Sequence, residues 1–249
     1  MLIENTAVKR IKCLSGNTLK IIAAVTMLID HIGFILLPQY GFLRIIGRLS
    51  FPIFAFLIAE GCKYTKNKLR YFLSVFILGL VCQIAYYVAA QSLYIGVLLS
   101  FSVSILCVYA LEYMKKVNRN DGGLPKKILA VALFALSLVG AYVFNVAFNV
   151  DYGFLGCMLP VFASIIADEN DLPKVLKNID VNTLRVFLFG ICLLAFAIYD
   201  KGNSYYSLLS LPVLLLYSEK RGKLKMKYFF YIFYPAHLAA IYGIDLILK

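Results

Sequence analysis

The chain has 249 residues, of which 62% are hydrophobic and 15% are charged, and its formal net charge is +12. An apolar share this far above the roughly one half of soluble domains excludes an ordinary water-soluble globule and indicates a protein of the lipid bilayer. Apolar runs of about 17 to 25 residues, long enough to cross a hydrocarbon core as helices, recur from Leu19 onward. We therefore predict one all-α, polytopic membrane helix bundle over residues 1–249.

In chain order, the apolar runs predict nine membrane-spanning helices, of which the sixth and eighth are short. Their approximate limits are residues 19–37, 42–60, 70–90, 93–113, 128–149, 152–167, 184–200, 204–218 and 228–248. The leader before the first span is polar for too long to resemble a cleaved signal peptide.

Lys and Arg residues cluster before the first span and after every second span, and the positive-inside rule identifies that side as the cytoplasm. The chain is therefore predicted to lie in the plasma membrane with a cytoplasmic N-terminus and an external C-terminus. This topology accounts for the net charge of +12. The sequence lacks the interleaved basic and aromatic residues of a nucleic-acid-binding surface, so no nucleic-acid partner is predicted.

The first two spans carry polar side chains inside their apolar runs. At 1.5 Å per residue, Asp30, His31 and Arg48 all lie about 9 to 10 Å below the outer ends of these antiparallel helices. Arg44 lies one turn above Arg48 on the same face, and Pro52 is predicted to kink the second span. Since a charge in the membrane costs about 2.5 to 3.5 kcal/mol on insertion scales, we expect these groups to meet, with Asp30 paired to Arg48 or bridged by water.

Two interpretations of this cluster are open. An Asp30–Arg48 ion pair alone would fix the register of the two helices. His31 favours a chemical role, because imidazole titrates near neutral pH and is the group that most often acts as a general base.

Two later segments also bring polar groups into apolar surroundings. The stretch "FNVDYGFLG" places Asp151 and Tyr152 at the outer start of the sixth span, where Asp151 either caps the helix or has a functional role. The stretch "KMKYFFYIFYPAHL" places His237 near the membrane midplane, two residues after Pro235. His237 is either a packed, hydrogen-bonded histidine or a functional one.

The same stretch contributes Lys227, Tyr228 and Tyr234. Lys227 and Tyr228 lie near the cytoplasmic end of the ninth span, where lysine and tyrosine are also ordinary interfacial anchors. The six cysteines are scattered singly and the chain has two histidines, so the sequence predicts no metal site.

Four stretches, in this order and spacing, resemble the TraX family, named for the conjugal-transfer protein that N-acetylates F-pilin: "LKIIAAVTMLIDHIG", "RIIGRLSFPIFAFLIAEG", "DYGFLGCMLP" and "KYFFYIFYPAHL". The resemblance implies a polytopic acyltransferase related to membrane acyltransferases of the acyltransferase-3 type. Such an enzyme moves an acetyl or other acyl group from cytoplasmic acyl-CoA to an amine or hydroxyl of an extracytoplasmic acceptor. That acceptor is a protein N-terminus, a glycan or a small molecule, and the other expected partner is membrane lipid.

The resemblance also implies a site at the motif positions. Its catalytic residues are His31 as the general base and Asp30. The residues expected to bind the acceptor or acyl-CoA are Arg44, Arg48, Asp151, Tyr152, Lys227, Tyr228, Tyr234 and His237, with Arg48 or Tyr234 stabilising the oxyanion. One departure concerns the end of the third span, where Gln83 replaces an expected acidic residue, so the pilin substrate is not carried over.

Other functions fit parts of the sequence. Intramembrane Asp30 and His31 also suit a proton relay, so a small proton-coupled carrier or flippase is the alternative function. The basic cytoplasmic loops either attract the CoA phosphates or only determine topology.

Overall fold

The computed structural model describes residues 12–120, 122–172, 176, 178–224, 226 and 229–248. The helices in chain order are α1 Gly16–Ile35, α2 Gly41–Gly47, α3 Ser50–Tyr64, α4 Lys68–Ala90, α5 Val97–Arg119, α6 Leu124–Ala147, α7 Gly153–Ile165, α8 Val181–Asp200, α9 Ser210–Leu215 and α10 Phe229–Leu248. The 3-10 helices Glu169–Asp171 and Gly202–Leu209 complete the described helical elements. Within the described residues, seven segments, counting α2 and α3 together, are long and apolar enough to cross a membrane, which confirms the predicted all-α membrane protein.

The chain divides into two compact units, and each is described by itself. The first unit comprises the residues up to Leu57 and those from Leu193 onward, and the second comprises Ile58–Cys192. Helices α3 and α8 each contribute residues to both units. The prediction of a single domain over residues 1–249 stays a prediction.

In the second unit, the short helix α7 occupies the predicted sixth span. Near its start, the Asp151 N–H donates to the Ile95 carbonyl, which lies just before α5, at 2.9 Å. Near its end, Lys115 Nζ, close to the C-terminus of α5, donates to the Ser164 carbonyl at 2.9 Å. Thus α7 runs parallel to α5, with its start near the start of α5 and its end near the C-terminus of α5. Its 13 residues span only about 20 Å as an α-helix.

In the first unit, the predicted eighth span is not a regular α-helix. The 3-10 helix Gly202–Leu209 packs against α2, and the six-residue α9 follows it. The chain then reaches the start of α1, where Leu14 and Tyr217 form an isolated bridge. Serine hydroxyls compete for backbone hydrogen bonds, and a 3-10 helix rises about 2.0 Å per residue, so this serine-rich segment covers more length than an α-helix would.

The second span is interrupted at Arg48 and Leu49, between α2 and α3. Proline has no N–H, so Pro52 cannot donate to the carbonyl of Arg48 four residues earlier. The Arg48 N–H lies within hydrogen-bonding distance of both Arg44 and Ile45 carbonyls, at 3.2 and 3.3 Å, which is a tightened last turn. The break predicted for this span is therefore present, and Pro52 lies in the first turn of α3, where its missing N–H costs least.

Asp171, which lies outside the membrane-spanning segments, forms a clasp that holds the segment after α7 against the C-terminal end of α5. Asp171 accepts hydrogen bonds from Lys115 Nζ at 2.8 Å, from the Ala167 N–H at 2.8 Å and from Arg119. Burial of the Asp171 carboxyl opposes its ionisation, but the hydrogen bonds from Lys115, Ala167 and Arg119 outweigh it and hold the pKa below its ordinary value. The ionised carboxylate is therefore the form that stabilises the clasp.

The change Asp171→Asn is expected to lower the free energy of unfolding by about 1.5 to 3 kcal/mol, the usual range for hydrogen bonds to a charged group. Because the folded pKa is depressed, the contribution is present above the unfolded pKa of about 3.9 and is lost as the pH falls through the folded value. Unfolding in detergent at pH 7 and below about pH 4 checks this, and the gap between wild type and variant should close in acid.

The control for the clasp is Asp168→Asn, at a side chain that is 45% exposed, with an expected loss below about 1 kcal/mol. Equal losses in the Asp168 and Asp171 variants would contradict the assignment.

Candidate functional site

The centre of the site is an ion pair between α1 and α2, in the first unit. Arg44 Nη1 donates to Asp30 Oδ2 at 2.5 Å and to the Asp30 carbonyl at 3.3 Å. The two helices approach closely because the facing positions are glycines: a Cβ on Gly47 would overlap the Asp30 side chain, and one on Gly33 would overlap Leu43. The guanidinium of Arg44 also lies 4.9 Å from the centroid of the Phe34 ring.

The expected Asp30–Arg48 pair is wrong, because Asp30 is paired with Arg44. The depth count assumes that the second span is a continuous helix, whereas the break at Arg48 and Leu49 changes the depth and direction of every residue from Arg48 inward. Asp30 lies opposite Gly47, and Arg44 is one turn from Gly47 on the same face. Within the described chain, Arg48 makes no ion pair, and its buried Nε atom has no hydrogen-bond partner.

The change Arg44→Ala is expected to lower the free energy of unfolding by about 1.5 to 3 kcal/mol, because it removes a charged hydrogen-bond partner and leaves the Asp30 carboxylate partly buried. The Asp30 and Arg44 side chains are 15% and 24% exposed. The matched control is Arg48→Ala, one turn further along, which should not lower stability because it removes an unpaired charge from the membrane. Denaturant titration of both variants in detergent makes the comparison, and a larger loss in Arg48→Ala would restore the Asp30–Arg48 pairing.

Two histidines from distant parts of the sequence meet beside this pair. His31 on α1 and His237 on α10 have ring centroids 5.1 Å apart, in an edge-to-face arrangement. His237 is buried, with 6% exposure, whereas His31 is partly exposed. Phe233 stacks on His237 at 4.9 Å, and Tyr234 packs edge-on to it at 5.7 Å. The structure therefore brings together predicted site residues of the first, second and last spans.

Both imidazoles are oriented by their own helices. The Nδ1 atoms of His31 and His237 lie 2.9 and 2.8 Å from the carbonyls of Met27 and Phe233, one turn earlier in each helix. A carbonyl only accepts hydrogen bonds, so in each neutral ring the proton is on Nδ1 and the lone pair is on Nε2. The buried Nε2 of His237 has no hydrogen-bond partner among the described groups. The pair thus offers two basic nitrogen atoms, of which the one on His31 is the more accessible.

Asp151 and Tyr152 belong to the second unit. Tyr94 Oη donates to Asp151 Oδ1 at 2.8 Å, so the carboxylate fixes the loop before α5 to the start of α7. Tyr152 is the N-cap residue of α7 and has a left-handed φ of 62°, a conformation that costs a bulky side chain about 1 to 2 kcal/mol. Whether Asp151 and Tyr152 bind a substrate stays a prediction. Lys227 and Tyr228 lie outside the described residues.

Gln83, at the position where an acidic residue was expected, has a structural role. Its side-chain amide donates to the Tyr94 carbonyl at 2.9 Å and accepts from the Gly96 N–H at 3.0 Å. Gln83 therefore holds the connection between α4 and α5 with both ends of its amide, and a carboxylate could not make the first of these bonds.

A buried ion pair in the second unit has no counterpart among the predicted site residues. Arg185 Nη1 lies 2.6 Å from Glu60 Oε1, and the two side chains are 1% and 6% exposed. Arg185 Nε also donates to the Ala163 carbonyl at 3.1 Å. Arg185 lies inside α8, four residues from its first residue Val181. The opposite charge of Glu60, at a similar distance from the corresponding end of α3, is the signal that could have revealed the pair.

The second unit also contains an apolar cavity of about 240 Å³. Its lining comes from α4, α5, α6 and the segments that flank them, and Ser102 is the polar side chain in that lining. The described residues of the lining include no carboxylate, imidazole or cation.

The chain is similar to known proteins along nearly its whole length. The family model described as TraX protein matches residues 15–245. The probable fimbrial assembly protein FimC, serogroup H1, of Dichelobacter nodosus is 26% identical over 257 residues, which cover 94% of this chain and 97% of that protein. An uncharacterized protein of Rickettsia prowazekii (strain Madrid E) is 40% identical over 68 residues, or 27% of this chain and 25% of that protein. No solved structure matches the chain. Because the family model covers nearly the whole chain, this membrane protein belongs to the TraX family.

Proposed function

We propose that this protein is a membrane acyltransferase that moves an acetyl or other acyl group from acyl-CoA to an amine or hydroxyl acceptor. The observation that carries the proposal is the contact between His31 and His237 beside the Asp30–Arg44 pair, within largely apolar helices. Intramembrane titratable groups are costly and mark functional sites. Membership of a family named for pilin acetylation supports the same reaction class. A relation to acyltransferase-3 enzymes stays a prediction.

In the proposed reaction, Nε2 of His31 accepts the proton of the acceptor as its nitrogen or oxygen attacks the thioester carbonyl. A tetrahedral oxyanion forms, and the hydroxyl of Tyr234, whose ring packs edge-on to His237, is proposed to donate to it. The carbon–sulfur bond then breaks, and the imidazolium of His31 returns the proton to the leaving thiolate of CoA. The products are the acylated acceptor and free CoA, so atoms and charge balance.

The proposed direction of transfer follows from the charge distribution. Acyl-CoA is supplied by the cytoplasm, where the basic loops are predicted to lie, and the acceptor is extracytoplasmic. The name of the Dichelobacter nodosus relative refers to fimbrial assembly, so a surface protein or its glycan is a candidate acceptor. Gln83 stands where the family pattern predicts an acidic residue, so pilin itself is not proposed as the acceptor.

The proposed orientation is tested by cysteine labelling in intact cells. Asn118 follows the predicted fourth span and the C-terminus follows the ninth, so the proposed topology puts them on opposite sides of the membrane. The six native cysteines are replaced by serine, and the labelling sites are Asn118→Cys and, in a separate variant, a cysteine added after Lys249. A membrane-impermeant maleimide should label only the C-terminal site. Labelling of both sites in intact cells would contradict the proposed orientation.

The proposed activity is tested with the purified protein in detergent. An acyltransferase should convert acetyl-CoA and an amine or hydroxyl acceptor to free CoA and the acetylated acceptor without any membrane gradient. A carrier or flippase would show no such turnover and would need sealed vesicles to act. Absence of acceptor-dependent CoA release with acetyl-CoA and longer acyl-CoA would overturn the proposal.

A further inference from the structure

Arg48 is an intramembrane cation of the first unit that lacks a counter-ion among the described residues. Asp30 neutralises Arg44 through their 2.5 Å contact. Arg48 makes no ion pair with any described residue, and its Nε atom is buried without a hydrogen-bond partner. An arginine costs about 2.5 to 3.5 kcal/mol at the centre of a membrane helix and less toward its ends, so an anionic ligand that pairs with Arg48 would lower the free-energy cost of its position.

Buried hydroxyl groups occur in the segment that packs against α2. Ser207 and Ser210 are 2% and 0% exposed, and neither Oγ atom has a hydrogen-bond partner in the described part of the chain. They lie three residues apart on the stretch that begins as the 3-10 helix Gly202–Leu209, and α2 has Arg48 as its C-cap. Unsatisfied buried donors are rare in native proteins and indicate a water, ion or ligand.

We infer that the acceptor of this enzyme carries an acidic oxyanion group, a carboxylate or a phosphate, which Arg48 binds within the membrane. A guanidinium and hydroxyl donors are the groups that proteins use for such oxyanions. Arg48 lies in the outer part of the second span as predicted from the basic loops, so the anion belongs to the extracytoplasmic acceptor rather than to the phosphates of CoA. This inference rests on the proposed acyltransferase function and names its substrate class.

The test compares matched acceptors that differ in one acidic group. Ethanolamine is compared with phosphoethanolamine, and glycinamide with glycine, using acetyl-CoA and protein in a phosphate-free detergent. The wild-type kcat/KM is expected to be about tenfold higher for the acidic member of at least one pair, which corresponds to about 1.4 kcal/mol. In Arg48→Gln the ratio of kcat/KM for the acidic acceptor to kcat/KM for the neutral one should fall to about one, because KM for the acidic acceptor rises. Arg48→Lys should restore part of this ratio.

Two kinetic results would overturn the inference. A wild-type enzyme that prefers the neutral member of both pairs has no anion site for its acceptor. An equal fall in kcat for both members in Arg48→Gln would assign Arg48 to the oxyanion of the transition state instead.

A second measurement does not depend on turnover. Phenylglyoxal modification of Arg48, followed by mass spectrometry, should be slowed by inorganic phosphate or acetate, whereas modification of the exposed Arg70 should be unaffected. Protection by phosphatidylglycerol alone would identify a lipid headgroup as the anion and overturn the inference. If the protein releases no CoA from any acceptor but phosphate protects Arg48, the proposed activity fails and the anion site stands. If Arg48 does not react with phenylglyoxal, the kinetic comparison decides.

Discussion

Replacing His31 with alanine is expected to lower the rate of acyl transfer by about a hundredfold to ten-thousandfold, the usual effect of removing a general base. The Nδ1–H of His31 is held by the Met27 carbonyl at 2.9 Å, so its Nε2 atom is the one available to the acceptor. The partial exposure of His31 gives an acceptor access that the buried His237 lacks. The measurement is kcat for acetyl transfer, together with the affinity for acetyl-CoA, which should stay within about threefold of wild type.

The matched control is His237→Ala. His237 contacts His31 at a ring separation of 5.1 Å and packs between Phe233 and His31. Its loss should disturb the position of His31 and cost about tenfold, through orientation rather than proton transfer. Near-normal turnover in His31→Ala, with a large loss in His237→Ala, would assign the base to His237. Near-normal turnover in both variants would remove the histidine pair from catalysis.

The fold class could be predicted from the sequence because hydropathy reports directly on burial in lipid. Runs of apolar residues located the seven long segments, since each helix must satisfy its own backbone hydrogen bonds in the membrane. The segment 204–218 was less predictable. Its length and hydrophobicity indicate a short α-helix, but its serines and tyrosines form a 3-10 helix that covers more distance per residue.

The members of the candidate site could be predicted better than their contacts. Charged residues inside apolar runs identified Asp30, His31, Arg44 and Arg48 without any structural information, because lipid makes such residues rare. The pairing of Asp30 with Arg44 depends on the position of the helix break before Pro52 and on the close approach at Gly47. A count of residues along an ideal helix contains neither feature.

The depth of each residue in the membrane does not by itself predict the contact between His31 and His237. These two residues, near opposite ends of the sequence, meet only if α1 and α10 are neighbours, and helix adjacency between distant spans is a property of bundle packing. The depths counted for the two histidines differ, yet α10 packs against α1 so that their rings touch. A contact of this kind requires the three-dimensional arrangement of the bundle.

The change Arg185→Met is expected to lower the free energy of unfolding by about 3 to 5 kcal/mol, because the Glu60 carboxylate would then be buried without its counter-ion. The two side chains are 1% and 6% exposed and lie 2.6 Å apart, so water cannot replace the lost partner. The double variant Glu60→Gln with Arg185→Met removes both charges and should recover at least half of that loss. Unfolding of wild type, the two single variants and the double variant by titration with a denaturing detergent gives the coupling free energy.

The control is Lys68→Met, whose partner Glu112 is 20% exposed while Lys68 itself is 50% exposed, and its expected loss is below about 1 kcal/mol. Strictly additive losses from the Glu60 and Arg185 changes would show that the two charges do not stabilise each other.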